Sequence, residues 1–146
     1  RAACGAGAFA ACAAPMTRVV FDRSFEPPAS VLPVRIAGLG EDDPAVLLRM
    51  LVDTGADCTL IPARIAKSLH LPLVDRIRVL GVGDKPVAAT VHAARMRVGG
   101  LQTIARVVVV GDEALLGRDL LNRLVLRIDG PALVVEATLS AKRNKR

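Results

Sequence analysis

The chain has 146 residues, 52% of them hydrophobic and 23% charged, with 12 Gly and 9 Pro, a globular profile that excludes a disordered or collagen-like chain. At this length one domain buries its core without needing a disulfide or metal staple. The formal charge is +6, but the excess sits at Arg1, Arg18, Lys142, Arg143, Lys145 and Arg146; between residues 19 and 139 the 14 acidic side chains are matched by 14 basic ones.

The body is therefore neutral, and with no Trp or Tyr to stack bases it is not expected to bind nucleic acid. Cys4, Cys12 and Cys58 form no CxxC, and His70 and His92 form no HExxH, so neither a metal site nor a disulfide framework is expected, and no cofactor is implied. No run of 18 strongly apolar residues is present to span a bilayer.

In chain order, residues 2–14 (AACGAGAFAACAA) follow Arg1 as a small, apolar, faintly signal-like stretch that is too weakly hydrophobic to make a good secretory signal. We read 1–17 as a poorly ordered extension, 18–139 as the folded domain of a cytoplasmic chain, and 140–146 as a solvated basic tail. From Val19 onward short apolar runs are cut by Gly, Pro and Asp, the pattern of strands. VLPVRIAGL (31–39) and VLLRMLVD (46–53) flank the GEDDP turn as a hairpin. Pro62 opens a helix over 62–71 and Pro72 stops it. Residues 76–100 read as a long hairpin with a Gly-rich turn, and IARVVVV (104–110) as a buried strand. RDLLNRL (118–124) fits a second short helix, and 125–137 a closing hairpin at Asp129-Gly130. Many strands, two short helices and no βαβ alternation give a mainly β fold with a closed, barrel-like sheet.

One segment carries chemistry: Leu51-Val52-Asp53-Thr54-Gly55-Ala56-Asp57-Cys58-Thr59. Asp and Gly crowd turns for conformational reasons, so Asp-Thr-Gly alone says little. Some sixty residues later, however, Leu115-Leu116-Gly117-Arg118-Asp119 sets two apolar residues and a Gly before a polar helix start. Between them Leu80-Gly81-Val82-Gly83-Asp84 occupies a hairpin tip. These three elements, in this order over about 31–137, resemble the active-site turn, second signature and flap of the retropepsin-like (retroviral-type) aspartic peptidases.

That resemblance implies the acid-protease half fold with one active-site Asp per chain, and endopeptidase activity on a peptide or protein substrate. Two carboxyls sharing one proton can take a proton from water and give one to the scissile carbonyl. With a single Asp-Thr-Gly in the chain, the pair must be Asp53 of two subunits in an isologous homodimer. By the same resemblance Thr54 locks the two turns together, and Gly55 admits the substrate backbone and leaves its carbonyl free for a substrate amide. Ala56 supplies no hydroxyl to the catalytic carboxyl. Asp57 contacts the substrate backbone and pairs with Arg118 behind Gly117. Leu51 and Leu115 would line side-chain pockets, or serve as plain core, and Gly81, Val82 and Gly83 would form the flap. Asp84 and Lys85 at that tip depart from the retroviral pattern. The long final hairpin departs too; it resembles a cellular or bacterial member, in which that hairpin supplies the interface.

Cys58 reads as a half-buried filler, His70 as a partner for the last helix carbonyls, and His92 as a strand residue with no evident partner. No serine lies in a GxSxG setting. The alternative function is a catalytically silent peptide-binding or dimerisation module on the same fold.

Overall fold

Two sheets share one core. The computed structural model describes residues 16–81 and 83–140; the first 15 residues, the basic tail beyond Ser140 and the flap residue Val82 lie outside the described residues. The elements are β1 (Thr17–Val20), β2 (Val31–Ala37), β3 (Ala45–Val52), β4 (Leu60–Ile61), α1 (Ala63–Ser68), β5 (Leu73–Val79), β6 (Val87–Val98), β7 (Leu101–Val109), β8 (Leu115–Leu116), α2 (Arg118–Leu121), β9 (Leu124–Asp129) and β10 (Val134–Leu139).

The larger sheet runs β2-β3-β8-β4-β7-β6-β5, and β6 also pairs with β2, so six strands close into a barrel-like ring with β5 attached outside it. Strand β6 makes this possible by its length. Its first half pairs with β5, from Val87 opposite Val79 to His92 opposite Leu73, while Arg95, Met96 and Arg97 turn to Ala37, Ile36 and Arg35 of β2. Alternation decides which side chains enter the ring: Leu32, Val34 and Ile36 of β2 and Ala94, Met96 and Val98 of β6 are buried in one core with Met50, Ile61, Val107 and Leu116. Helices α1 and α2 plug it with Ala66, Leu120 and Leu121.

The smaller sheet has the order β1-β10-β9. Its inner face adds Val135 and Ala137 to the same core. On its outer face Glu136 lies between Arg18 at 3.3 Å and Arg127 at 3.8 Å, with Val20 and Val125 exposed on the same face. Among the described residues the far edge of β9 pairs with no strand.

Several boundaries differ from the sequence reading. Thr17, assigned there to the extension, pairs with Ala137 in β1; a four-residue strand has no periodicity to announce it. Strand β7 starts at Leu101 because Gly99 and Gly100, both at positive φ, make the turn from β6. Helix α2 is one turn long, and the Asp129-Gly130 hairpin closes by a four-residue loop in which Leu133 takes φ 53°. His92 is not without partners: its Nδ1 lies 2.9 Å from the Leu71 carbonyl and its Nε2 3.1 Å from Thr90 Oγ1. Leu71 reaches it only through the β5–β6 pairing and the loop after α1, which no local pattern reveals. His70 turns through φ 48°, and its backbone N–H, not its ring, donates to the Lys67 carbonyl at 3.1 Å.

Candidate active site

The site starts where two chain segments far apart in sequence run side by side. Strands β3 and β8 pair in parallel, with Leu51 beside Leu115 and Val52 beside Leu116. The pairing continues one step beyond β3, where the Asp53 N–H donates to the Leu116 carbonyl at 3.1 Å. The half-buried Asp53 is thereby fixed at the carboxyl end of a strand whose register the core sets.

The next residues turn back over its side chain. Asp53 Oδ1 accepts the N–H of Gly55 at 2.9 Å and of Ala56 at 3.2 Å, an Asx-type turn closed on the carboxyl itself. A side chain at position 55 would bring a Cβ to 3.2 Å from that same oxygen, so glycine keeps the approach open. Thr54 and Gly55 are exposed.

Two contacts brace this turn against the start of α2. The Arg118 guanidinium donates to Asp57 Oδ1, and the Arg118 N–H donates to the Ala56 carbonyl at 2.9 Å. Deeper in, Thr59 is fully buried. Its Oγ1–H donates to Asp119 Oδ1 at 2.8 Å, its N–H to Asp119 Oδ2 at 3.1 Å, and its Oγ1 accepts the Gly117 N–H at 3.2 Å. Gly117 is required by contact: a Cβ there would sit 2.4 Å from the Cys58 carbonyl group. Sequence reading missed Asp119 and Thr59 as a pair. The signal that could have found them is a Thr and an Asp each two residues past the neighbouring Asp57 and Gly117.

Above the turn, Cys58 and Leu60 join Ile77, Val79 and Val110 around a second small core of Ala89, Val91 and Val108, linking the turn to the β5–β6 hairpin. At the hairpin tip Leu80 is 71% exposed. Gly83 stands at φ 145°, where glycine is needed; Gly81 is open on all sides and needs no glycine for space. Leu51 and Leu115 are half-buried and belong to neither core cluster. Among the described residues no group of side chains could hold a metal ion, and no helix is long and apolar enough to cross a membrane.

A family model described as "gag-polyprotein putative aspartyl protease" matches residues 45–123, from the start of β3 to just past α2 and so across every contact above. The chain belongs to this aspartyl protease family. Its fold is that of the retropepsin-like proteases: it is similar to the structure of a retropepsin-like aspartic protease from Rickettsia conorii, at 20% identity and TM-score 0.56 over 84% of this chain and 90% of that one. It is also similar to EIAV protease complexed with the inhibitor HBY-793, at 23% identity and TM-score 0.48 over 64% of this chain and 86% of that one. The retroviral protease-like domain of Ddi1 from Leishmania major matches at 19% identity and TM-score 0.48 over 80% of this chain and 97% of that one. No curated protein matches the chain.

Proposed function

We propose that the protein is an aspartic endopeptidase that hydrolyses peptide bonds with the Asp53 carboxyls of two subunits. The observation that carries this reading is the Asp53 turn itself, whose carboxyl is anchored through Oδ1 to Gly55 and Ala56 on a strand end that its own N–H ties to β8. A group held this rigidly meets the geometric demand of general acid–base work, in which a carboxyl must stand within hydrogen-bond reach of water and carbonyl together.

The step needs a second carboxyl. Paired across a two-fold axis, one Asp53 takes a proton from water as its oxygen attacks the scissile carbon, while the other gives its proton to the carbonyl oxygen. Collapse of the tetrahedral species breaks the C–N bond and returns a proton to the leaving nitrogen. Because one proton is shared, rate falls when both carboxyls are protonated and when neither is, and activity is bell-shaped in pH. An extended peptide fits between the turn and the β5–β6 hairpin, with the Gly55 carbonyl accepting a substrate amide hydrogen, Asp57 contacting its backbone, and Leu51 and Leu115 walling the side-chain pockets.

Assembly is supported by strand order. In the small sheet β10 is already flanked by β1 and β9 of its own chain, so interleaving of terminal strands from two chains has no vacant place there. Among the described residues β1 and β9 are the two edges of that sheet; at β9 Val125 and Ile128 are about half exposed, and a second copy adding there would continue the sheet. The decisive experiment is digestion of a peptide library at several pH values by wild type and Asp53→Asn, with and without a statine-type transition-state mimic. Cleavage lost in Asp53→Asn and blocked by the mimic is the expected result. Equal cleavage by both proteins overturns the reading, and binding without cleavage by the wild type makes the protein a silent peptide-binding module.

A further inference from the structure

The outward face of β2 and β6 holds a concentration of guanidinium groups for which proteolysis has no use. Arg35 lies directly opposite Arg97, and Arg95, two residues earlier on β6, shares that face. Like charges directly opposite one another destabilise a sheet. Among the described residues none of the three is in an ion pair. Their partners are neutral. Arg97 donates to Gln102 Oε1 at 2.8 Å and Arg95 donates to the Gly40 carbonyl, so the two guanidiniums are oriented while their charge is left over.

These side chains line a cleft of about 180 Å³ together with Glu41 and Asp43. Asp43 Oδ2 accepts the Gly40 N–H at 2.7 Å, which turns it toward its own loop while leaving its charge, so the three guanidiniums exceed the two carboxylates of the cleft by one positive charge. Glu41 is the one exposed acid at the rim with no such engagement. We infer that this cleft is a binding site for a tetrahedral oxyanion of the phosphate class, held between Arg35 and Arg97 with Arg95 alongside. Guanidinium presents paired N–H donors that match two oxygens of such an ion, and each bond is charge-assisted. The cleft has several times the roughly 30 Å³ that one water occupies in the liquid, enough for the ion and part of its hydration. A bound ion would offset the Arg35–Arg97 repulsion.

The site is independent of the protease reading. Arg35 is opposite Leu47 on β3, and Asp53 is six residues further along, roughly 20 Å away for extended chain. The test is an NMR titration of the full chain with inorganic phosphate and with O-phosphoserine, which carry the same group free and esterified, against a chloride control of equal ionic strength. The expected result is saturable shifts confined to the amides around residues 35, 95, 97 and 102. Arg35→Gln and Arg97→Gln each weaken binding about tenfold, and Glu41→Gln strengthens it by removing a competing carboxylate. Without phosphate, Arg35→Gln is at least as stable as wild type, and Asp53→Asn binds phosphate unchanged. Saturation by phosphate alone assigns the site to the free ion; saturation by both assigns it to phosphomonoesters as well. Shifts that do not saturate, that spread over all basic residues, or that survive in the Arg35→Gln/Arg97→Gln double variant overturn the proposal.

Discussion

Three donors converge on the Asp119 carboxyl: the Oγ1–H and N–H of Thr59 and the N–H of Leu120 at 3.0 Å. A carboxylate accepts all three, whereas an amide brings N–H groups of its own and must face at least one of these donors with another. Asp119→Asn is therefore not conservative. It is expected to cost roughly 1–3 kcal/mol, read by urea unfolding, because Thr59 is buried and its orphaned donor finds no water. Gly117→Ala should cost a similar amount, roughly 1–3 kcal/mol, since the new methyl group must push back the Cys58 backbone. Asp53→Asn should abolish hydrolysis and leave the unfolding midpoint within experimental scatter, which separates the chemical residue from the bracing ones. Far from the site, Asp22 is held below its ordinary pKa, first by the Ser24 N–H and then by the Ser24 hydroxyl, with Arg49 adding attraction. A depressed carboxyl contributes stability that is full above its unfolded value and is lost as pH falls through the folded one. Asp22→Asn should accordingly flatten the acid side of the stability curve below about pH 4, and an unchanged curve there would remove Asp22 from the account.

Elements differ in how far the sequence announces them. The β2–β3 hairpin and the two signatures were readable, because alternation, a charged turn and the residues around Asp53 and Gly117 are local patterns. Strand β1 was not readable: TRVV is a strand because Val134–Ala137 lie opposite it, and nothing within four residues encodes that pairing. Gly99-Gly100 marks a turn in the sequence, but not that the strand after it begins at once, so β7 starts at Leu101, three residues before the apolar run at 104–110 announces it. Within the site, the Asp119–Thr59 bond spans 60 residues and joins types that also occur as ordinary capping and turn residues, so the matching two-residue offsets from Asp57 and Gly117 are the one sequence signal that pairs them. The β5–β6 hairpin carries its own prediction. Gly83→Ala places a Cβ at φ 145°, a conformation that L residues rarely adopt, at a tip where nothing lies within 4 Å of that Cβ, so the tip changes shape locally instead of straining the fold. The expected result is a changed KM for peptide with near-normal global stability; an unchanged KM would mean that the tip does not touch substrate.

At the scale of the whole molecule, the proposed division of the site between two subunits would make activity a function of concentration. Specific activity should fall on dilution through the dimer dissociation constant, and sedimentation should show monomer over the same range. A flat specific activity where only monomer remains would refute the shared site. The strand ring and the main core are built entirely from one chain. The parallel pairing of β3 with β8 also has a kinetic side. Contacts between segments this distant must wait for the intervening chain to be drawn in, so the floor that carries Asp53 belongs to the late part of folding, after the local hairpins have formed. Substitutions in that floor then act mainly on the barrier to unfolding: Asp119→Asn should steepen the loss of native protein while leaving the refolding limb of a chevron almost where it was. The Asp53 turn would be the last part of the chain to become ordered during folding and the first to loosen in denaturant.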